Sequence, residues 1–135
     1  DLIRGSHILF AGEPAQPYLL QTDSGGRVFF VLPYQGNTLV GTTEVRQQLD
    51  QPIAASEDEI DYLLQQYNNY FTQRRSRADI IASTAGLRPL IQSAANPRKV
   101  SREYEIVQQE KLLTVYGGKW TTARALGKKV ADKLL

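Results

Sequence analysis

The residues best placed to do chemistry stand near the C-terminus, in Val115-Tyr116-Gly117-Gly118-Lys119-Trp120-Thr121-Thr122-Ala123-Arg124. There an apolar strand pattern runs into two glycines and then a helical pattern. Glycines at such a junction permit positive φ and close approach of the backbone to a ligand, and the first N–H groups of a new helix carry partial positive charge. That combination suits an anion or an electron-rich group. Lys119 adds to the case, because a cation in the first turn opposes the helix dipole and needs another reason to be there. The alternative is a tight strand-to-helix turn with a solvated lysine, since no full phosphate-loop motif is present. A second candidate is Arg88, in Ala85-Gly86-Leu87-Arg88-Pro89-Leu90. A glycine that permits close approach and a proline that fixes the backbone give its guanidinium a stiff mount, suited to bidentate recognition of carboxylate or phosphate. A structural salt bridge is the competing reading.

Composition narrows the chemistry further. The 135 residues contain no cysteine and one histidine, His7. Disulfides, thiol catalysis and zinc–cysteine sites are therefore excluded, and a protein-only metal cage would have to rely on carboxylates; no metal ligand is assigned. Sixteen Lys+Arg against fourteen Asp+Glu give a formal charge of +2. The basic residues cluster only weakly, at Arg74-Arg75-Arg77 and Lys128-Lys129, so nucleic acid is not an expected partner. With 41% hydrophobic and 22% charged residues, the chain reads as a globular, soluble domain, and no apolar run approaches the length of a membrane span. The opening Asp1-Leu2-Ile3-Arg4-Gly5-Ser6-His7 shows neither a signal peptide nor an initiator Met, as expected of a piece of a longer chain.

The elements that must position these residues are mostly strands. Ser6–Phe10 predicts a strand that ends in a Gly12, Pro14, Pro17 loop. Tyr18–Gln21 and Arg27–Leu32 predict an antiparallel pair around Asp23-Ser24-Gly25-Gly26, and Pro33–Asn37 turns the chain into a further strand over Thr38–Thr43. Such short turns favour hairpins over parallel crossovers. Ser56 and Glu59 form a capping-box signature, and Ile60, Leu63, Leu64, Tyr67 and Phe71 recur at helical spacing, predicting a helix over about 57–71. Tyr62, Tyr67 and Tyr70 read as packing groups rather than a stacking surface, and Arg74, Arg75 and Arg77 as a solvated C-terminal cap. Asp79–Thr84 predicts a strand continuing to Leu90 with a kinked edge. Asn96-Pro97-Arg98-Lys99 predicts a loop, and Tyr104–Val107 and Leu112–Tyr116 predict two strands joined by Gln108–Lys111. A final helix is expected over about 119–135, with Ala123, Leu126, Val130 and Leu134 on one face. The fold class is α+β, an antiparallel sheet covered on one face by helices.

Taken together, Arg4-Gly5-Ser6-His7-Ile8, Val28-Phe29-Phe30-Val31-Leu32-Pro33, Gly41-Thr42-Thr43-Glu44-Val45, Glu59-Ile60-Asp61-Tyr62-Leu63-Leu64, Gly86-Leu87-Arg88-Pro89-Leu90 and Gly117-Gly118-Lys119-Trp120-Thr121-Thr122 resemble the FAD-dependent glycerol-3-phosphate dehydrogenases of the D-amino-acid-oxidase-like flavoprotein group. They follow the family's order and spacing over nearly the whole chain. The resemblance implies part of an enzyme that oxidises sn-glycerol 3-phosphate to dihydroxyacetone phosphate and passes electrons from FAD to quinone, the intact parent being cytoplasmic and peripheral on the cytoplasmic membrane. It implies a substrate-binding domain over 1–116, with 117–135 belonging to an otherwise missing FAD-binding domain. By position, Arg88 and Lys119 match the family's arginine and lysine beside the glycerol phosphate. Gly117, Gly118, Lys119, Trp120, Thr121 and Thr122 match the segment against the flavin, and His7 lies in the Gly-Ser-His motif as a candidate proton acceptor, with Lys119 as the second catalytic candidate.

Some positions depart from the family pattern. No G-x-G-x-x-G follows a strand, so these residues alone are expected to be inactive and to retain no FAD. The family's typical Gly-Thr-Thr-Asp is here Gly-Thr-Thr-Glu44, and Phe10-Ala11-Gly12-Glu13 stands where basic or polar residues are common. The alternatives are a non-catalytic anion-binding or interaction domain, and the substrate domain of a sister flavoprotein acting on another small amine or polyol.

Overall fold

The structure, a computed structural model, describes residues 2–22, 26–90 and 104–134. The expected loop Asn96-Pro97-Arg98-Lys99 and the centre of the expected turn, Asp23-Ser24-Gly25, lie outside the described residues.

A six-stranded antiparallel sheet carries most of the chain. Its strands are β1 (Leu2–Ala11), β2 (Tyr18–Gln21), β3 (Val28–Tyr34), β4 (Asn37–Gly41), β5 (Val45–Arg46) and β6 (Ile80–Pro89). β2, β3, β4 and β1 lie side by side, and β1 also pairs with β5 and, over nearly its whole length, with β6. β1 begins at Leu2, four residues before the apolar pattern suggested, because the charged Arg4 inside it has partners in the fold. The β3–β4 hairpin is tighter than expected: its strands run to Tyr34 and from Asn37, and the turn is made by Gln35 and Gly36, both at positive φ. β4 stops at Gly41, so Thr42, Thr43 and Glu44 form the connection to β5.

The helix α1 (Glu57–Tyr70) covers one face of this sheet. Its start matches the sequence signature: the Ser56 hydroxyl accepts from the Glu59 N–H, while the Glu59 carboxylate accepts from the Ser56 backbone, satisfying donors that a helix start leaves open. Leu63 and Tyr67 of α1 pack with Ile8, Phe10, Phe29, Val31 and Val40 in the core, with Ile60, Leu64 and Phe71 at its margin. Each large side chain fully buried there contributes on the order of 1.5–3 kcal/mol. Tyr67 stacks on Phe71 at 4.4 Å between ring centroids, in keeping with a packing role for these aromatics. The arginines after α1 act differently from a solvated cap. Arg77 pairs with Glu57 and Asp61 along α1, and the Arg75 guanidinium lies over the Phe10 ring.

The remaining residues form a hairpin and a helix. β7 (Tyr104–Gln109) and β8 (Leu112–Gly117) pair antiparallel across a two-residue turn with Glu110 at positive φ. The helix α2 spans Ala123–Leu134, starting four residues later than expected. A single 3-10 turn over Trp120–Thr122 comes first, closed by the Thr122 N–H donating to the Lys119 carbonyl at 3.1 Å. α2 lies beside the hairpin, where the Lys129 ammonium sits 5.1 Å from the centre of the Tyr104 ring.

Candidate functional site

Side chains alternate between the two faces of a strand, and the register of β1 sorts its residues accordingly. Arg4, Ser6, Ile8 and Phe10 share the α1 side with the core. Ile3, Gly5 and His7 lie on the other face, opposite Arg88, Gly86 and Thr84 of β6. That second face carries the candidate residues Arg88 and His7. It is open at Thr84 and Gly86 and presents exposed Leu19 and Phe30.

Two glycines make the floor of the site. A Cβ on Gly5 would stand 2.1 Å from Arg88 Nη2, so the guanidinium lies directly over this position. Gly41, the cross-strand partner of His7, does the same for the imidazole, since a Cβ there would stand 2.1 Å from His7 Cδ2. Any side chain at either position would displace the group above it.

The connection after β4 supplies the walls. Arg88 Nη2 donates to Thr42 Oγ1 at 2.9 Å, and Arg88 Nη1 lies 3.5 Å from Glu44 Oε1. The other Glu44 oxygen lies 3.6 Å from Arg27 Nη2. Thr43, between them in sequence, turns to the opposite side. Its hydroxyl accepts from the Ser6 N–H at 2.9 Å and donates to Glu59 Oε1 at 2.5 Å. Glu59 is buried and also accepts from the Ser6 hydroxyl and pairs with Arg4 at 2.6 Å. Its carboxyl is lowered to about 2: burial opposes this, and the bonds from Thr43, Ser56, Arg4 and Ser6 outweigh it. One buried carboxylate therefore ties α1, β1 and the Thr42–Glu44 connection together.

His7 is held below its ordinary value, first by burial and then by the positive charge of Arg88. Its imidazole is neutral at pH 7 and available to accept a proton.

Of the residues predicted from sequence, the structure brings Arg88 and His7 onto one face of one sheet. Lys119 follows β8 and is not part of that sheet. It is the N-cap of the Trp120–Thr122 turn rather than a first-turn residue of a long helix. The first turn of α2 therefore begins at Ala123, whose N–H already donates to the Trp120 carbonyl, and the expected placement of a helix dipole at Lys119 does not hold. The glycines behave as expected, Gly117 at φ 74° and Gly118 at φ 104°. Gly117 to Thr122 are all exposed, and Trp120 reaches 95% exposure.

Sequence reasoning missed Glu44 as a neighbour of Arg88, Arg27 as a neighbour of Glu44, and Gly5 and Gly41 as the floor. The acid in Gly-Thr-Thr-Glu44 was the available signal for the first. A separate cavity of about 340 Å³ between Tyr18, Phe71 and Arg75 lies on the helix side of the sheet, walled by the loop after β1 and the end of α1. Among the described residues there is no cluster of His, Asp and Glu arranged to hold a metal ion, and no helix long and apolar enough to cross a membrane.

Comparison with known proteins places this arrangement. D-erythritol 1-phosphate dehydrogenase of Brucella abortus is 38% identical over 142 residues, and aerobic glycerol-3-phosphate dehydrogenase of Escherichia coli is 36% identical over 143. Each alignment covers 98% of this chain and 28% of the relative, so the chain spans little more than a quarter of their length. The crystal structure of the glycerol-3-phosphate dehydrogenase from Bacillus halodurans complexed with FAD superposes with a TM-score of 0.77 at 29% identity, covering 98% of this chain and 26% of that one. Residues 1–133 match the FAD dependent oxidoreductase (DAO) family, and the chain belongs to that family.

Proposed function

We propose that this chain is the substrate-binding portion of a flavoprotein that oxidises sn-glycerol 3-phosphate to dihydroxyacetone phosphate and passes the electrons to a quinone at a membrane surface. The observation that carries the reading is Arg88, held over Gly5 by Thr42 and Glu44 on the same open face as a neutral His7. A planar guanidinium with several aligned donors suits a phosphate dianion. His7 accepts the proton of the hydroxyl being oxidised, and Lys119 stabilises the charge that develops on its oxygen. On this reading residues 1–116 form the substrate domain and 117–135 the flavin-contacting turn and helix.

Part of the chain suits FAD. Gly117 and Gly118, both at positive φ, carry no side chain toward a ring system, and the exposed run through Thr122 offers backbone donors and the Trp120 indole beside it. These residues fit one side of a flavin, and Gly117, Gly118, Lys119, Trp120, Thr121 and Thr122 would hold it there. When bound, FAD supplies the hydride acceptor.

The test is Arg88→Ala in the intact parent protein. Loss of a charged hydrogen-bonding partner costs roughly 1.5–3 kcal/mol, so kcat/KM for glycerol 3-phosphate should fall at least tenfold with flavin content unchanged. Wild-type efficiency would overturn the assignment. The D-erythritol 1-phosphate dehydrogenase relative supports a second reading, oxidation of a four-carbon polyol phosphate. It shares the phosphate anchor, and comparing kcat/KM for the two substrates separates the readings. A non-catalytic anion-binding module would oxidise neither.

A further inference from the structure

Glu44 is almost buried, yet it is shared between two arginines. Its side chain is 13% exposed, with Arg88 Nη1 at 3.5 Å from one oxygen and Arg27 Nη2 at 3.6 Å from the other. Among the described residues one carboxylate faces two guanidinium groups, so its presence does not cancel their attraction for an anion. Both separations exceed those of a close charge-assisted hydrogen bond. The carboxylate therefore orients Arg88 through Nη1, which is itself buried, and a phosphate would meet the rest of the guanidinium.

The support behind Glu44 is rigid. The neighbouring Thr43 is fixed on both sides, its hydroxyl bonded to Ser6 and Glu59 and its backbone N–H to the Ser6 carbonyl. Thr42 holds the second terminal nitrogen of Arg88. An arginine side chain has several freely rotating bonds, and fixing them beforehand removes an ordering cost that substrate binding would otherwise bear.

We propose that Glu44 is a positioning residue that, braced by Arg27, presets the Arg88 guanidinium over Gly5 for the phosphate of the substrate. This rests on the reading of Arg88 as the phosphate anchor. It assigns a role to the acid of the Gly-Thr-Thr-Glu44 segment and to Arg27, neither of which touches substrate.

The experiment uses the intact flavoprotein with Glu44→Gln, Arg88→Ala and the double variant, and measures KM and kcat for glycerol 3-phosphate and inhibition by inorganic phosphate. Glu44→Gln should raise KM and the phosphate inhibition constant about tenfold, with kcat within about threefold, because only ground-state anchoring is loosened. In the Arg88→Ala background the same substitution should change neither, since the two residues act as one unit. An unchanged or lowered KM in Glu44→Gln, or a tenfold effect that persists without Arg88, would overturn the inference while leaving the phosphate anchor intact. If Arg88→Ala itself leaves KM unchanged, the anchor fails and the inference fails with it. Should Glu44→Gln not retain flavin, Arg27→Gln is the second variant. Its KM should rise about threefold, again only when Arg88 is present, and a wild-type KM there overturns the role of the brace.

Discussion

Replacing Glu59 by Gln puts a permanent neutral mimic of the protonated acid into the most connected polar position of the domain. The carboxylate receives bonds from Ser6, Thr43 and Ser56 and pairs with Arg4. Its folded value is about 2, against an ordinary 4.5. At about 1.4 kcal/mol per tenfold, that difference makes the charged form worth roughly 3 kcal/mol to the fold at neutral pH. The sign follows from the depression. The stabilisation is complete above about pH 4.5 and fades as pH falls toward 2, where the folded state is protonated too. Urea unfolding of wild type and Glu59→Gln, followed by far-UV circular dichroism, should show a gap of about 3 kcal/mol at pH 7. The wild-type stability should then descend to meet that of the variant as pH approaches 2. A gap below about 0.5 kcal/mol at pH 7, or one that stays undiminished at pH 2.5, would refute the reasoning.

Two further outcomes follow from the site. Gly5→Ala drives a methyl into the space of Arg88 Nη2, which is the end of a flexible side chain; the fold should survive by circular dichroism, while KM for the phosphorylated substrate in the intact protein rises at least tenfold. An unchanged KM would show that Arg88 binds in some other pose. His7 is the single histidine in the sequence, so its ring proton gives one assignable NMR titration. The midpoint should lie below 6.5 and move upward when Arg88 is replaced by Met, which removes the second cause of the depression but not burial. A midpoint at or above 6.5 in the wild type would contradict the depression by burial and Arg88.

The pattern of the sequence made the local elements readable and left their cross-chain partners hidden. Ser56 and Glu59 marked the start of α1 correctly because a capping box is a local device. Nothing local indicates that Ser6 and Thr43 meet the same carboxylate, since that depends on how β1 and the β4–β5 connection pair. Arg4 hid the first residues of β1 for the same reason: a charge inside a strand reads as a break until its partner Glu59 is known. Arg88 was legible as a stiffly mounted cation from Gly86 and Pro89. Its setting was not, because Thr42 and Glu44 lie more than forty positions away in sequence. At Gly117-Gly118 the backbone freedom was legible. The 3-10 turn that delays α2 to Ala123 was not, because helical periodicity does not separate a single tight turn from the helix that follows it.

The place of β1 at the middle of the large sheet also sets an order of assembly. During synthesis β1 is made before any of its partners. Leu9 can pair with Leu39 once the β3–β4 hairpin exists, but Leu2 must wait for Pro89. Contacts so distant in sequence close slowly. Until β6 arrives, β1 has an open edge carrying both the strand that α1 packs on and the glycine that Arg88 will cover. The domain is therefore exposed to mispairing for as long as it takes to translate residues 12–89, and Arg88 belongs to the last strand of the sheet to be put in place.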